Sequence, residues 1–348
     1  MTSVLRFGVP SKGRMEQPTL DFLASCGLAI ARPNPRQYQA RMAGQPGVTV
    51  LFQRMHDLIR QVAEGRVDLA AVGYDYVLEQ DPELRDLVIV HPDLGYGRAE
   101  VVVAVPEAWV DVSTVDDLAD VALELREAGR TLRVATSYPN LARRFLDEHG
   151  IMHFTLHVAD GALEAAPSLG YADIIIDLTE TGTSLRENRL KCLDDGRLLK
   201  TQACLIGNRR ALTSDPQKRE ATRRILELIE ARLRAQEFVS LTANMRGRCE
   251  EEIARHVISH QATAGLTGPT IARVYAKSGD EPDGLRWYSV TVVVRHDLAL
   301  EAVEHFRRMG GSGITVSPAR YVFEDRCEAF TRLLEDLGVQ RQEHERDR

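Results

Sequence analysis

Short β-rich runs, several of them apolar on both faces, recur through the first two-thirds of the chain, and most are followed by an amphipathic helical pattern. VLRFGVP, GVTVLF, DLAAVG, AEVVVAVP, TLRVATS, ADIIIDL and QACLIGN are runs of this kind. A strand that is apolar on both faces needs helices on both sides of its sheet. EQPTLDFLASCG, HDLIRQVAEG, VDDLADVALELREAG and NLARRFLDEHG provide them, and several close on a glycine suited to a left-handed C-cap. The pattern predicts an α/β fold for this part.

The rhythm then changes. EFVSLTANM reads as a strand, GRCEEEIARHVISH as a helix, GPTIARVYA and WYSVTVVVR as strands around the loop KSGDEPDGLR, LALEAVEHFRRMG as a helix and GITVSPARYVF as a last strand. The order βαββαβ is that of the split-βαβ, ferredoxin-like unit. It predicts a separate C-terminal domain over residues 227–325, joined by the polar helix SDPQKREATRRILELIEARLRAQ. Residues 326–348, ending in QRQEHERDR, read as an extension too polar to bury anything.

Composition narrows the function. With 348 residues and a formal charge of −7, a general nucleic-acid binder is disfavoured, so an anionic ligand would need a focused basic pocket. The opening MTSVLRFGVPSKGRM has no apolar leader core and no stretch is long enough to span a bilayer, so a cytoplasmic protein without membrane partners is expected. Cys26, Cys192, Cys204, Cys249 and Cys327 are scattered, with no CxxC pair, which reads as reduced thiols. His256 and His260 in HVISH read as a plain helix face.

The stretch ADIIIDLTETGTSLREN, residues 172–188, runs from an apolar strand into acidic, hydroxyl and glycine residues and then into a helix. Such strand-to-helix turns bind anions because the first helical N–H groups lack internal partners. Gly182 permits close backbone approach, and Thr181, Thr183 and Ser184 add hydroxyl donors. Asp177 is suited to ribose hydroxyls or to a magnesium ion, so a sugar phosphate fits better than free phosphate. The same residues also make an ordinary N-cap and turn glycine, and the stretch alone leaves both readings open.

Other segments decide between them. DIIIDLTETGTSLRENRLK resembles the signature of the ATP phosphoribosyltransferases, and GVPSKGRMEQPTLDFL, FQRMHDLIRQVAEGRVDLAAVGYDYVLE, DLGYGRAEVVVAVP, LRVATSYPNLARRFL and GALEAAPSLGYADIIIDL are similar to that family's blocks in the same order. FVSLTANM, GLTGPTIARVYA and WYSVTVVVRHDLALEAVEHFRRMGGSGITVSP resemble the regulatory domain of its long form. The resemblance covers nearly the whole chain. It implies two catalytic lobes like those of a periplasmic binding protein: residues 1–104 and 187–226 in lobe I, and 105–186, with the phosphoribosyl-binding turn, in lobe II. It also implies an ACT-like regulatory domain, transfer of phosphoribose from phosphoribosyl pyrophosphate to N1 of ATP with Mg2+ as cofactor, inhibition by histidine, and a homo-oligomer from dimer to hexamer. No partner related to histidyl-tRNA synthetase is expected. The alternatives are a two-lobed binding protein without catalysis and a phosphoribosyltransferase for another base.

Carried over residue by residue, the resemblance assigns Asp177, Arg54 and Lys12 to catalysis. It assigns Asp173, Asp177, Thr179, Glu180, Thr181, Gly182, Thr183 and Ser184 to phosphoribosyl pyrophosphate, and Lys12, Gly13, Arg14, Arg54, Tyr74, Asp75 and Glu164 to ATP. Leu266, Gly268 and Thr270 fall at the allosteric histidine position. Asp57 reads as the N-cap of HDLIRQVAEG, and Tyr138 as either a packing or a site residue. The chain departs from the family at Ser11, inserted before Lys12; at Tyr74, where an arginine is usual; and at Gly268, where a serine is usual.

Overall fold

β1 (Leu5–Pro10) buries Leu5, Phe7 and Val9 on one face and Gly8 and Pro10 on the other, as a strand covered on both faces must. The computed structural model describes residues 4–339 apart from 33, 35–36, 160 and 276–283. Its residues divide into two compact units, Met1–Leu226 with Glu328–Arg348, and Glu227–Cys327.

In the first unit β1 is followed by α1 (Glu16–Ser25), β2 (Ile30–Ala31), β3 (Gln39–Met42), β4 (Val48–Gln53), α2 (Met55–Ala63), β5 (Leu69–Gly73), α3 (Tyr74–Gln80) and β6 (Leu87–His91). The chain then builds β7 (Ala99–Pro106), α4 (Val115–Glu127), β8 (Leu132–Thr136), α5 (Pro139–Glu148), β9 (Phe154–Val158), β10 (Ile174–Thr179), α6 (Thr183–Glu187) and β11 (Leu190–Thr201). It returns through β12 (Ala203–Asn208), α7 (Arg209–Ser214) and the start of α8 (Pro216–Ala235).

Two sheets result, a 7-stranded one in the order β2-β3-β4-β1-β5-β12-β6 and a 5-stranded one in the order β11-β7-β10-β8-β9. β1 is parallel to β4 and β5, and β8 is parallel to β9 and β10. Each sheet forms the centre of one lobe. The lobe boundaries differ from expectation: β7 and β11 both lie in the second sheet, so residues 99–104 and 190–201 belong to lobe II. β7 is buried on both faces and needs a neighbour on each edge, and β10 and β11 provide them, both antiparallel.

The second unit contains β13 (Phe238–Gly247), α9 (Glu250–Ile258), β14 (Thr270–Val274), β15 (Arg286–Arg295), α10 (Ala299–Arg308) and β16 (Ser312–Pro318). Its sheet order, β14-β15-β13-β16, with antiparallel pairings throughout, gives the ferredoxin-like βαββαβ unit. Ile253, Val257, Ala302 and Phe306 of the helices pack on Leu241, Ala243, Val290 and Val292. Most of the loop KSGDEPDGLR lies outside the described residues. α9 ends at Ile258, so His260 is not on its face; its ring stacks on His305 at 4.6 Å and its Nδ1 accepts from the Ala262 N–H.

The C-terminal extension is not wholly too polar to bury. Glu328–Asp336 forms α11, which packs beside β6 with Ala329 and Leu333 buried, and Arg209 Nη1 donates to the Asp336 carbonyl at 2.8 Å. Apolar residues four apart in EAFTRLLED form the stripe responsible. QRQEHERDR lies outside the described residues.

Candidate functional site

β10 carries the central carboxylate. Asp177 pairs with Val102 of β7 near the carboxyl end of the strand, and Ser137 Oγ, at the end of β8, donates to its Oδ1 at 3.4 Å. Burial, with the negative charges of Glu164 and Asp75, pushes the Asp177 carboxyl up to about 6. Glu164 sits in a 3-10 turn, Leu163–Ala165. An arrangement that makes the charged form costly holds a carboxylate ready for a donor or a cation.

Beyond Asp177 the strand ends in the expected turn. Gly182 has φ +69°, a left-handed conformation that favours glycine, and opens α6. The turn is tightened by its own hydroxyls: Gly182 N donates to Thr179 Oγ1 at 3.0 Å, Thr183 N to Thr181 Oγ1 at 3.4 Å, and the Thr181 and Thr183 hydroxyls are 2.9 Å apart. A phosphoryl group would have to take over those amides from the hydroxyls. Arg186, one turn on, donates to Thr183 Oγ1 at 3.2 Å, and a Cβ placed on Gly182 would lie 3.1 Å from its Nη1. The turn therefore carries its own cation.

The loop after β1 approaches the same turn. Arg14 Nη1 lies 3.0 Å from Glu180 Oε1, joining residues of the two lobes. Lys12 and Gly13 are exposed beside it, and Arg54 is exposed as the N-cap of α2. Asp57 is consequently inside the first turn of α2 rather than its N-cap, and it pairs with Arg60 at 3.2 Å. Tyr74 is half-buried against the core of the first lobe, with its N–H bonded to the Gln202 carbonyl.

Two of the expected ligand contacts are engaged elsewhere. Asp173 lies at the opposite end of β10 from the turn, about 13 Å from Asp177 at ordinary strand rise, and forms a two-pronged pair with Arg133, Nη2–Oδ1 2.7 Å and Nε–Oδ2 3.2 Å. Burial would raise its carboxyl, but the Arg133 hydrogen bonds outweigh it and hold it below the usual range. Asp173→Asn is expected to lower the thermal midpoint while leaving the KM for phosphoribosyl pyrophosphate unchanged, as melting curves and initial rates would read. Asp75 has no exposed surface: Oδ1 accepts from Thr201 Oγ1 at 2.8 Å and Oδ2 from Tyr138 OH at 2.6 Å. It links the lobes, and Tyr138, 2% exposed, is its partner.

In the second unit Leu266 is half exposed with its N–H on the Val293 carbonyl, Gly268 has φ +116°, and Thr270 opens β14 opposite Thr291.

A family model described as ATP phosphoribosyltransferase matches residues 54–231, and one described as HisG, C-terminal domain, matches 235–321. "ATP phosphoribosyltransferase 2, chloroplastic" of Arabidopsis thaliana is 40% identical over 96% of this chain and 81% of its own length. The chain belongs to the ATP phosphoribosyltransferase family. "ATP phosphoribosyltransferase" of Brucella suis is 43% identical over 65% of this chain and 96% of its own. Among solved structures, "ATP phosphoribosyl transferase (HisG:HisZ) complex from Thermotoga maritima" matches 65% of this chain and 96% of its own at 24% identity and TM-score 0.48. As a member of this family, the chain is a glycosyltransferase of the first step of histidine biosynthesis.

For an ATP phosphoribosyltransferase, the structure adds side chains that the sequence reading passed over. Arg186 sits in the helix of the signature turn, and its one-turn spacing from Thr183 was the available signal. Ser137, in SYPN, touches Asp177 only because β8 and β10 are neighbours, which no local pattern reveals.

Proposed function

We propose that phosphoribosyl pyrophosphate lies over the β10 turn, with Asp177 accepting hydrogen bonds from the ribose hydroxyls and Thr181, Gly182, Thr183 and Ser184 around the 5-phosphate. The observation that carries this reading is a half-buried carboxyl at a strand end, bonded by Ser137 and followed at once by a hydroxyl-lined, left-handed turn under an arginine. Ribose donors would stabilise the ionised Asp177, and Arg186 would add charge for the phosphate. Lys12, Arg14 and Arg54 would meet the pyrophosphate and triphosphate. Arg14 now rests on Glu180, so an incoming anion would replace a carboxylate there.

Transfer to N1 of ATP passes through a transition state of oxocarbenium character, positive on the ribose and negative on the leaving pyrophosphate. No protein nucleophile is needed; alignment and fixed charge supply the rate. Asp177 would stabilise the ribose side and the cations the leaving group.

Magnesium fits this site in one respect. No group of three His, Cys, Asp or Glu that could hold a metal occurs among the described residues, so these offer no cage. The negative charge of Glu164 raises the Asp177 carboxyl, and a cation bound mainly by substrate phosphates would relieve that repulsion. Bound magnesium would neutralise charge on the departing pyrophosphate.

The test is direct. The full chain, mixed with ATP, phosphoribosyl pyrophosphate and magnesium, should release pyrophosphate and yield ATP phosphoribosylated at N1; binding without turnover would refute the reading. No helix among the described residues is long and apolar enough to cross a membrane, and a cytoplasmic location is part of this proposal.

Histidine control and a homo-oligomer from dimer to hexamer, without a partner subunit, belong to the same reading. The C-terminal match over residues 235–321 and the exposed Thr270 at the start of β14 support it. Thr270→Val is expected to raise the histidine concentration for half-inhibition about tenfold, as loss of one hydrogen bond to a charged ligand would. Inhibition curves with and without the substitution check it. Truncation is a poorer test, because it would also remove α11 from the catalytic unit.

A further inference from the structure

α5 begins without a cap of its own. Its N-cap residue, Tyr138, makes no side-chain cap hydrogen bond, and Pro139 at the first position has no N–H to satisfy. The first amides needing an acceptor are those of Asn140 and Leu141. Their acceptor comes from the other lobe: Asn140 N donates to Glu79 Oε1 and Leu141 N to Glu79 Oε2, each at 2.9 Å. Asn140 Nδ2 adds a third bond, to the Glu79 carbonyl, at 3.0 Å.

Glu79 is 6% exposed and sits one helical turn after Asp75 on α3, so both carboxyl groups of that helix meet the first turn of α5. Leu78 of α3 packs on the core of the second lobe, and the rings of Tyr76 and Tyr138 are 5.5 Å apart. Thr201, which binds both the amide and the carboxyl of Asp75, is the last residue of β11, where the chain crosses back to the first sheet. Gly73 completes the fit, because a Cβ there would lie 2.5 Å from Asp75 Oδ1. Burial pushes the Glu79 carboxyl up, opposed by the two amides and by the charges of His56 and Arg144. A buried carboxylate held on two amides is an arrangement that bulk water alone would not select.

The turn so fixed is part of the site. Ser137, which touches Asp177, stands immediately before Tyr138. We propose that Glu79 is a positioning residue for phosphoribosyl transfer: it caps α5 from the opposite lobe and thereby holds Ser137 against Asp177 before any substrate arrives. The two lobes are tied on this side without a ligand between them, in contrast to a receptor that closes only on its solute. The proposal rests on the reading of Asp177 as the carboxylate that orients the ribose.

Glu79→Ala, Glu79→Gln and Glu79→Asp in the full chain test it. Amide hydrogen exchange at Asn140 and Leu141 should be slow in the wild type, accelerate at least about tenfold in Glu79→Ala, and be intermediate in Glu79→Gln, which keeps one acceptor. The KM for phosphoribosyl pyrophosphate should rise about tenfold in Glu79→Ala and Glu79→Asp, the latter too short to reach, and be largely restored by Glu79→Gln. A residue that served stability alone would lower the melting temperature and leave the KM of the folded fraction unchanged. Equal exchange rates in wild type and Glu79→Ala, or a KM within twofold in Glu79→Ala, would overturn the proposal. If the wild type itself does not bind phosphoribosyl pyrophosphate by calorimetry, the functional reading has failed too, and that outcome is separate from failure of the cap alone.

Discussion

Asp177→Asn is expected to lower kcat/KM by roughly 10²- to 10³-fold, the scale for losing one fixed charge aimed at a transition state, while making the ligand-free protein more stable. Both effects have one cause. Burial first, and then the charges of Glu164 and Asp75, raise the folded-state pKa of Asp177 to about 6, above its ordinary value of about 4. The folded protein therefore binds more protons than the unfolded chain between these values, so this group makes stability fall as pH rises from about 4 to about 6. Removing the charge should abolish that slope and return on the order of 3 kcal/mol above pH 6. The kcat/KM of the wild type should climb through about pH 6 as Asp177 of the free enzyme ionises, and the limb should vanish in Asp177→Asn. Melting temperatures across pH 4 to 8, with rates over the same range, test both halves. A variant with normal turnover, or one that is less stable at pH 8, would remove Asp177 from the role given to it.

The parts of this protein legible in its sequence are those set by local chemistry. The apolar runs locate β1, β5, β7, β8, β10 and β12, and the βαββαβ order gives the second unit its sheet. The signature turn is readable because Gly182 and its hydroxyl neighbours are consecutive. Long-range pairing was not readable. Asp173 and Asp177 flank the same Ile174–Ile176 run, yet one meets Arg133 at the amino end of the strand and the other meets Ser137 near the turn. The resemblance assigns Asp75 to ATP, and nothing in its local sequence shows that Tyr138 and Thr201 from the second lobe enclose it. Glu79 in DYVLEQ carries no motif at all. Its role depends on the missing cap of a helix some 60 residues later, which is a property of two lobes meeting and not of either sequence segment.

Asp68→Ala should bring the largest loss of stability, about 3 kcal/mol or more. Asp68 has no exposed surface and stands just before β5. Its Oδ2 accepts from Arg6 N at 2.8 Å and Arg6 Nε at 3.0 Å, and its Oδ1 from Arg6 Nη2 and Lys218 Nζ, both at 2.8 Å. One carboxylate thus joins β1, the entry to β5 and the start of α8. Burial alone would raise its pKa, but the hydrogen bonds of Arg6 and Lys218 prevail and hold it below the usual carboxylate range. With the folded value lowered, its contribution is present above the ordinary pKa and disappears as pH falls through the lower folded one. Alanine leaves the Lys218 ammonium, only 15% exposed, without its acceptor, together with the Arg6 amide. Most of the loss is therefore the cost of stranded donors and not the worth of the pair. It follows that Lys218→Met added to Asp68→Ala should recover part of the stability, whereas Lys218→Met alone should destabilise. Urea titrations of the four proteins of this cycle would read the coupling directly. Simple additivity of the two losses would mean that Lys218 and Asp68 are not engaged in solution.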